Sequence, residues 1–139
     1  MKDLQNALTQ LRAGNFTCVL CKGDEIYTDS RRGVKPLLEF LNSGKDFQGF
    51  SAADKVVGKA AAHLYCLLKV SALHAGIIST PAKTVLEKGG ITVTFDKEVP
   101  AIENRTKTGP CPMESAVWDI ADHHEAHTAI LRTLEKLQS

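Results

Sequence analysis

Apolar residues recur at three- and four-residue spacing near the start of the chain. Leu4, Ala7, Leu8 and Leu11 share one helical face, and Gly14 with Asn15 ends the pattern. An amphipathic helix over about residues 2–13 is expected. The period then drops toward two in "FTCVLCKGDEIYTD", where two β-rich runs flank Lys22-Gly23-Asp24, so a hairpin is expected. "RRGVKPLLEFLNSG" reads as a helix from about Val34, with Pro36 in its first turn and Gly44 as its stop. "SAADKVVGKAAAHLYCLLKV" is apolar on nearly every side and reads as one buried helix. Ser51 is its expected N-cap and Asp54 the acidic partner of a capping box.

The second half alternates. "ALHAGIIS" reads as a buried strand, and "TPAKTVLEKGG" as a helix capped by Thr80, opened by Pro81 and ended by Gly89. "ITVTF" reads as a strand, "VPAI" as a short edge strand, and "PMESAVWDIA" as a short helix. Asp122 and Glu125 make a capping box for a last helix, "HHEAHTAILRTLEKL". Strands alternating with helices predict a three-layer α/β sandwich, a single domain over residues 1–139.

Composition narrows the function classes. A formal net charge of +1 argues against bulk nucleic-acid binding. No apolar run approaches the ~20 residues of a membrane helix, and the N-terminus lacks a signal-peptide core, so a cytoplasmic location is expected. In that setting Cys18, Cys21, Cys66 and Cys111 are expected as reduced thiols. Cys18 and Cys21 lie three apart in a strand, which directs their sulfurs to opposite faces and away from joint metal ligation. His123 and His127 are four apart and form a helix-surface cluster that departs from H-E-x-x-H. Phosphate-loop, dinucleotide-loop and nucleophile-elbow glycine motifs do not occur.

Three stretches could carry chemistry. In "TGPCPMES", Cys111 stands at an expected helix N-cap with Pro112 first and Glu114 third. Capping alone accounts for this spacing, with Glu114 reaching back over the turn. A thiol there also faces the positive helix end, which favours thiolate. In "SAADKVVGK", Lys55 and Lys59 are four apart and would share one helix face near Asp54. They are either solvated or, on so apolar a helix, directed into a cleft. The loops "DSRRGVK" and "ENRTKTG" add Arg31, Arg32, Lys35, Asn104, Arg105 and Lys107, which are either solvated or available to phosphate.

Together, "RGVKPLLE", "ADKVVGKAAA" and "CPMESAV" resemble a prokaryotic family catalogued as domain of unknown function 1893, from about Phe16 to Ala129. The resemblance implies a cytidine-deaminase-like fold, with a mixed central sheet between helical layers and a site where two helix N-termini face each other. Zinc deaminases carry H-x-E at one helix start and P-C-x-x-C at the next. Here Glu114 stands where the second cysteine would be, and Asp54 lies near the H-x-E position without its histidine or glutamate. The expected site is therefore a polar pocket without metal or cofactor, built from Asp54, Lys55, Lys59, Cys111 and Glu114 and rimmed by Arg105 and Lys35. Its expected partner is a small anionic or nucleotide-like ligand. The alternatives are a metal-independent enzyme with Cys111 as nucleophile, tuned by Lys55 or Lys59, and a structural or partner-binding homo-oligomer.

Overall fold

In the computed structural model, which describes residues 2–103, 109 and 111–138, a five-stranded sheet lies between two layers of helix. The elements are α1 (Lys2–Ala13), β1 (Cys18–Lys22), β2 (Glu25–Asp29), α2 (Lys35–Asn42), β3 (Ser51–Val57) and α3 (Lys59–Leu68). They continue with β4 (Ala72–Ser79), α4 (Thr80–Lys88), β5 (Thr92–Val99), α5 (Pro112–Ala116) and α6 (His123–Gln138). Strand order is β2-β1-β3-β4-β5. β1 is antiparallel to both neighbours, whereas β3, β4 and β5 run parallel, so the sheet is mixed. The three-layer α/β architecture expected from the sequence is the one observed.

The layers follow from strand alternation. In β1, Cys18 and Leu20 enter the larger core with α2, α3 and α4, while Val19 and Cys21 meet Ala7 and Leu11 of α1 on the other face. The two cysteines of this strand thus sit on opposite faces. Successive parallel crossovers moving the same way across a sheet put their helices on one side. Accordingly α3 and α4, which connect β3 to β4 and β4 to β5, share the larger core, with α6 packed outside α3. Among the described residues no helix is long and apolar enough to cross a membrane.

One sequence expectation is corrected. Residues 51–57 form the central strand, and the helix begins only at Lys59, with Gly58 in extended conformation between them. Ser51 and Asp54 therefore cap nothing. Alanine favours helix locally, but tertiary packing overrides propensity. Ala52 enters the larger core and Ala53 meets α1, so the small side chains let both helical layers approach this strand. Smaller revisions follow the same logic. Ser79, whose hydroxyl accepts from the Ala82 amide, is the N-cap of α4 in place of Thr80. "VPAI" supplies only the end of β5.

β3 and β4 also share an irregularity that shapes the site. Their parallel register pairs Asp54 with Ala75 and Val56 with Ile77, on either side of Lys55 and Gly76. Ala52 and Val57, and likewise Ala75 and Ile78, all enter the larger core, so alternation slips by one residue in both strands at once. A Cβ at Gly76 would lie 2.6 Å from the Lys55 carbonyl oxygen, which explains glycine there. Beyond the slip, Val56 and Ile77 are exposed.

Candidate functional site

A cavity of about 1020 Å³ opens where β3 passes into α3. Its lining includes Asp54 and Lys55 from β3, Cys111 and Glu114 at α5, and Arg32 and Lys35 before and within α2. Two expected members fall elsewhere. Lys59 lies outside this lining and borders a second, smaller cavity, because Lys55 and Lys59 are separated by the strand-to-helix junction and share no helix face. Arg105, with Asn104 and Lys107, lies outside the described residues. Arg31 is engaged by Asp29 at 2.5 Å and by Glu39, and takes no part.

Glu114 is the anchor. Its carboxylate is buried and accepts from the Lys59 amide at 2.9 Å, from the Ser79 hydroxyl and from the Ile102 amide. These donors come from the start of α3, the N-cap of α4 and the segment after β5. The α3 N-terminus has no cap from its own flank, since Gly58 offers no side chain. Glu114 supplies that cap from a distance, satisfying an orphan amide and placing negative charge at the positive helix end. The capping box expected within "CPMES" is not formed: the Cys111 amide donates to the Ile102 carbonyl instead, at 2.9 Å. Glu114, the third residue of α5, thus reaches the start of α3, and a protein carboxylate already occupies the space at that helix N-terminus.

Asp54 forms the polar floor. It pairs across the sheet with Cys18, so both project toward Tyr65 of α3. The Tyr65 hydroxyl donates to Asp54 Oδ2 at 2.7 Å, and the Val56 amide donates to Oδ1 at 3.3 Å. With the phenol proton committed to Asp54, the Cys18 thiol donates to the Tyr65 oxygen, 3.2 Å away. Burial raises the Asp54 pKa to about 7, although its hydrogen bonds from Tyr65 and the backbone oppose this. Burial, with the neighbouring Asp54 charge, also pushes the Cys18 thiol and the Tyr65 phenol well up. The floor thus offers one carboxyl able to take or give a proton near neutrality, supported by two groups that keep their protons.

The rim is basic. Arg32, Lys35 and Lys55 are exposed, and none of them pairs with a carboxylate among the described residues. Cys111 is half-buried in the same wall and uses its thiol in no cap hydrogen bond. The α5 helix it opens has only five residues, so the dipole it offers that thiol is smaller than the sequence suggested. Among the described residues no three His, Cys, Asp or Glu side chains are grouped to hold a metal ion. What the sequence did not reveal is the Asp54–Tyr65–Cys18 chain, because its members come together only once residues 51–57 form a strand.

Two outcomes are expected. Glu114→Ala strands three buried or half-buried donors and should cost about 3–5 kcal/mol in denaturant unfolding, the scale for removing one partner of a buried charged network. Glu114→Gln, which keeps one acceptor oxygen, should cost less. The Asp54 carboxyl is protonated in the folded chain at pH values where the unfolded chain, with an ordinary aspartate, has lost its proton. This contribution to stability is therefore greatest near pH 4, falls as pH rises toward 7, and is flat above. Asp54→Asn should flatten that slope and unfold at higher denaturant than the parent at pH 8. A parent whose stability rises between pH 4 and 7 in step with the variant would refute the assignment.

The family model described as TM1506, domain of unknown function (DUF1893), matches residues 6–134. The fold also matches a crystal structure of a DUF1893 family protein, TM1506, from Thermotoga maritima. That pair has a TM-score of 0.86 and 27% identity, over 97% of this chain and 90% of the other. A crystal structure of dCMP deaminase from the cyanophage S-TIM5 in apo form aligns at a TM-score of 0.44 and 13% identity, over 70% of this chain and 94% of the other. No curated protein matches the chain. With the family model spanning nearly its whole length, the chain belongs to the DUF1893 family.

Proposed function

We propose that the large cavity binds a small anionic, nucleotide-like ligand. The anion would be held at the rim by Arg32, Lys35 and Lys55, and a polar edge would be read by Asp54 on the floor. The observation that carries this reading is the pairing of a buried carboxyl, titrating near 7, with a rim of cations that lack partner carboxylates among the described residues. A carboxyl in that state can accept from a ring N–H or donate to a ring nitrogen, according to its protonation. Cations on flexible stems suit a phosphate better than a carbon skeleton. Glu114 is fully used in holding the fold, so its role here is to shape the pocket wall. Arg105, outside the described residues, belongs to the same proposal as a further cation for the anion.

Thermal denaturation with a panel of nucleoside mono- and diphosphates tests this. Ligand at about 100 times its Kd stabilises a folded chain by about 2.7 kcal/mol, a rise in Tm of several degrees. Lys35→Ala and Lys55→Ala should each weaken binding about tenfold, with a steep loss at higher salt. No stabilisation by any nucleotide, or stabilisation indifferent to both variants, would end the reading.

A second reading rests on the Cys111 thiol, which borders the same cavity as Asp54 and takes no part in capping. In that reading Cys111 is a nucleophile and the Asp54 carboxylate its proton acceptor. Alkylation kinetics across pH decide it. A Cys111 that reacts with iodoacetamide half-maximally below pH 8 and slows in Asp54→Asn favours the enzyme, whereas ordinary thiol behaviour removes it.

A further inference from the structure

The second cavity, of about 440 Å³, lies on the far side of the α3 start and is lined in part by Lys59, Thr84, Lys88 and His123. Among the described residues its lining carries two lysines and one histidine, and no aspartate or glutamate. Lys59 is only 9% exposed. Its ammonium donates to the Trp118 carbonyl at 2.6 Å, and among the described residues no carboxylate lies within ion-pair distance of it. A buried cation is costly unless a charge of opposite sign compensates it, and a neutral carbonyl does so only in part.

The histidine is held ready by its neighbours. His63, buried under α6, bonds the Ile120 carbonyl through Nε2 at 3.2 Å. A carbonyl cannot donate, so the His63 proton sits on Nε2 and its Nδ1 is a bare acceptor. His123 Nδ1 lies 2.8 Å from that atom and must therefore carry the proton between them. Burial, with His123 beside it, lowers the His63 pKa to about 4, which keeps His63 neutral and this arrangement fixed at neutral pH. Nε2 of a neutral His123 is then a bare acceptor outside the pair, able to receive a hydrogen bond from the P–OH of a hydrogenphosphate.

We infer that this cavity is a binding site for a phosphate-class oxyanion, held by the ammonium groups of Lys59 and Lys88 and flanked by the His123 imidazole. The opposite charge that Lys59 lacks among the described residues is the charge the ligand brings. Thr84, exposed one turn before Lys88 on α4, donates its hydroxyl proton to the Thr80 carbonyl at 3.2 Å, so it offers the same wall only an acceptor for a ligand P–OH. The site is independent of the Asp54 cavity, with which it shares no lining residue.

The test is calorimetric titration of the whole chain with inorganic phosphate, followed in parallel by the imidazole resonances of His123. The expected result is one saturable site with a His123 shift. Lys88→Ala should weaken it about tenfold, as expected for one lost charge-assisted contact, and Lys88→Glu should abolish it. Lys88 is exposed, so both variants should fold normally. Lys35→Ala, in the other cavity, should leave phosphate binding unchanged, which separates this site from the nucleotide reading. A phosphate monoester such as AMP that binds tighter than phosphate, with the same dependence on Lys88, would identify an ester as the natural ligand; equal affinity would identify the free ion. No saturable heat up to about 10 mM phosphate, an affinity too weak for a built site, would overturn the inference. So would binding that survives Lys88→Glu or is lost in Lys35→Ala.

Discussion

A single buried carboxylate organises the cavity-bearing end of this molecule. Glu114 accepts hydrogen bonds from three segments that are far apart in sequence, and each of those donors would otherwise be stranded at a helix start or a chain turn. Charge-assisted bonds of this kind are stronger than neutral ones, and their loss is not easily made good in a dry interior. The consequence runs outward from the contact. With α5 pinned through Glu114, Cys111 three residues earlier is brought to the cavity wall, and the segment after β5 is drawn over the α3 start. The position where helix geometry would welcome a foreign anion is taken by the protein's own, so in the proposed readings attraction for an external anion falls to side-chain cations: Arg32, Lys35 and Lys55 in one cavity, Lys59 and Lys88 in the other.

Much of the architecture was legible from periodicity. The first helix, the hairpin turn at Gly23, the Pro81-to-Gly89 helix and the Asp122 cap of the last helix all rest on local chemistry, and local chemistry is what a short window records. The stretch from Ser51 to Val57 failed for a definite reason. Its alanines are small because two helical layers press on the strand from both sides, a demand set by residues far away in sequence. The extended Gly58 and the adjacent valines, Val56 and Val57, were the available signals for a break. Misplacing that boundary moved Asp54 from mid-strand to a helix start and put Lys55 and Lys59 on a shared face they do not have.

Which segments border the large cavity was legible in the sequence, and the contacts their side chains make were less so. Asp54, Lys55, Lys35, Cys111 and Glu114 do border one cavity. Glu114 looked like a local cap and is a long-range one. Lys59 looked like a partner of Lys55 and faces a different hollow. The floor depends on the slip that β3 and β4 share at Lys55 and Gly76. Before the slip, Asp54 turns inward to Tyr65; after it, Val56 is left outside. No window of sequence shorter than both strands together contains that information.

The placement of β1 carries a consequence for how the chain assembles as it is made. β1 lies between β2 and β3, and α1 rests on β1 and β3 together. A nascent chain in which residues 2–30 have emerged and residues 51–57 have not holds a helix and a hairpin whose apolar face has half its landing surface. That face is completed only when residues 51–57 emerge and slot in beside β1, so the helix and hairpin must wait, unfinished, for a strand encoded well downstream.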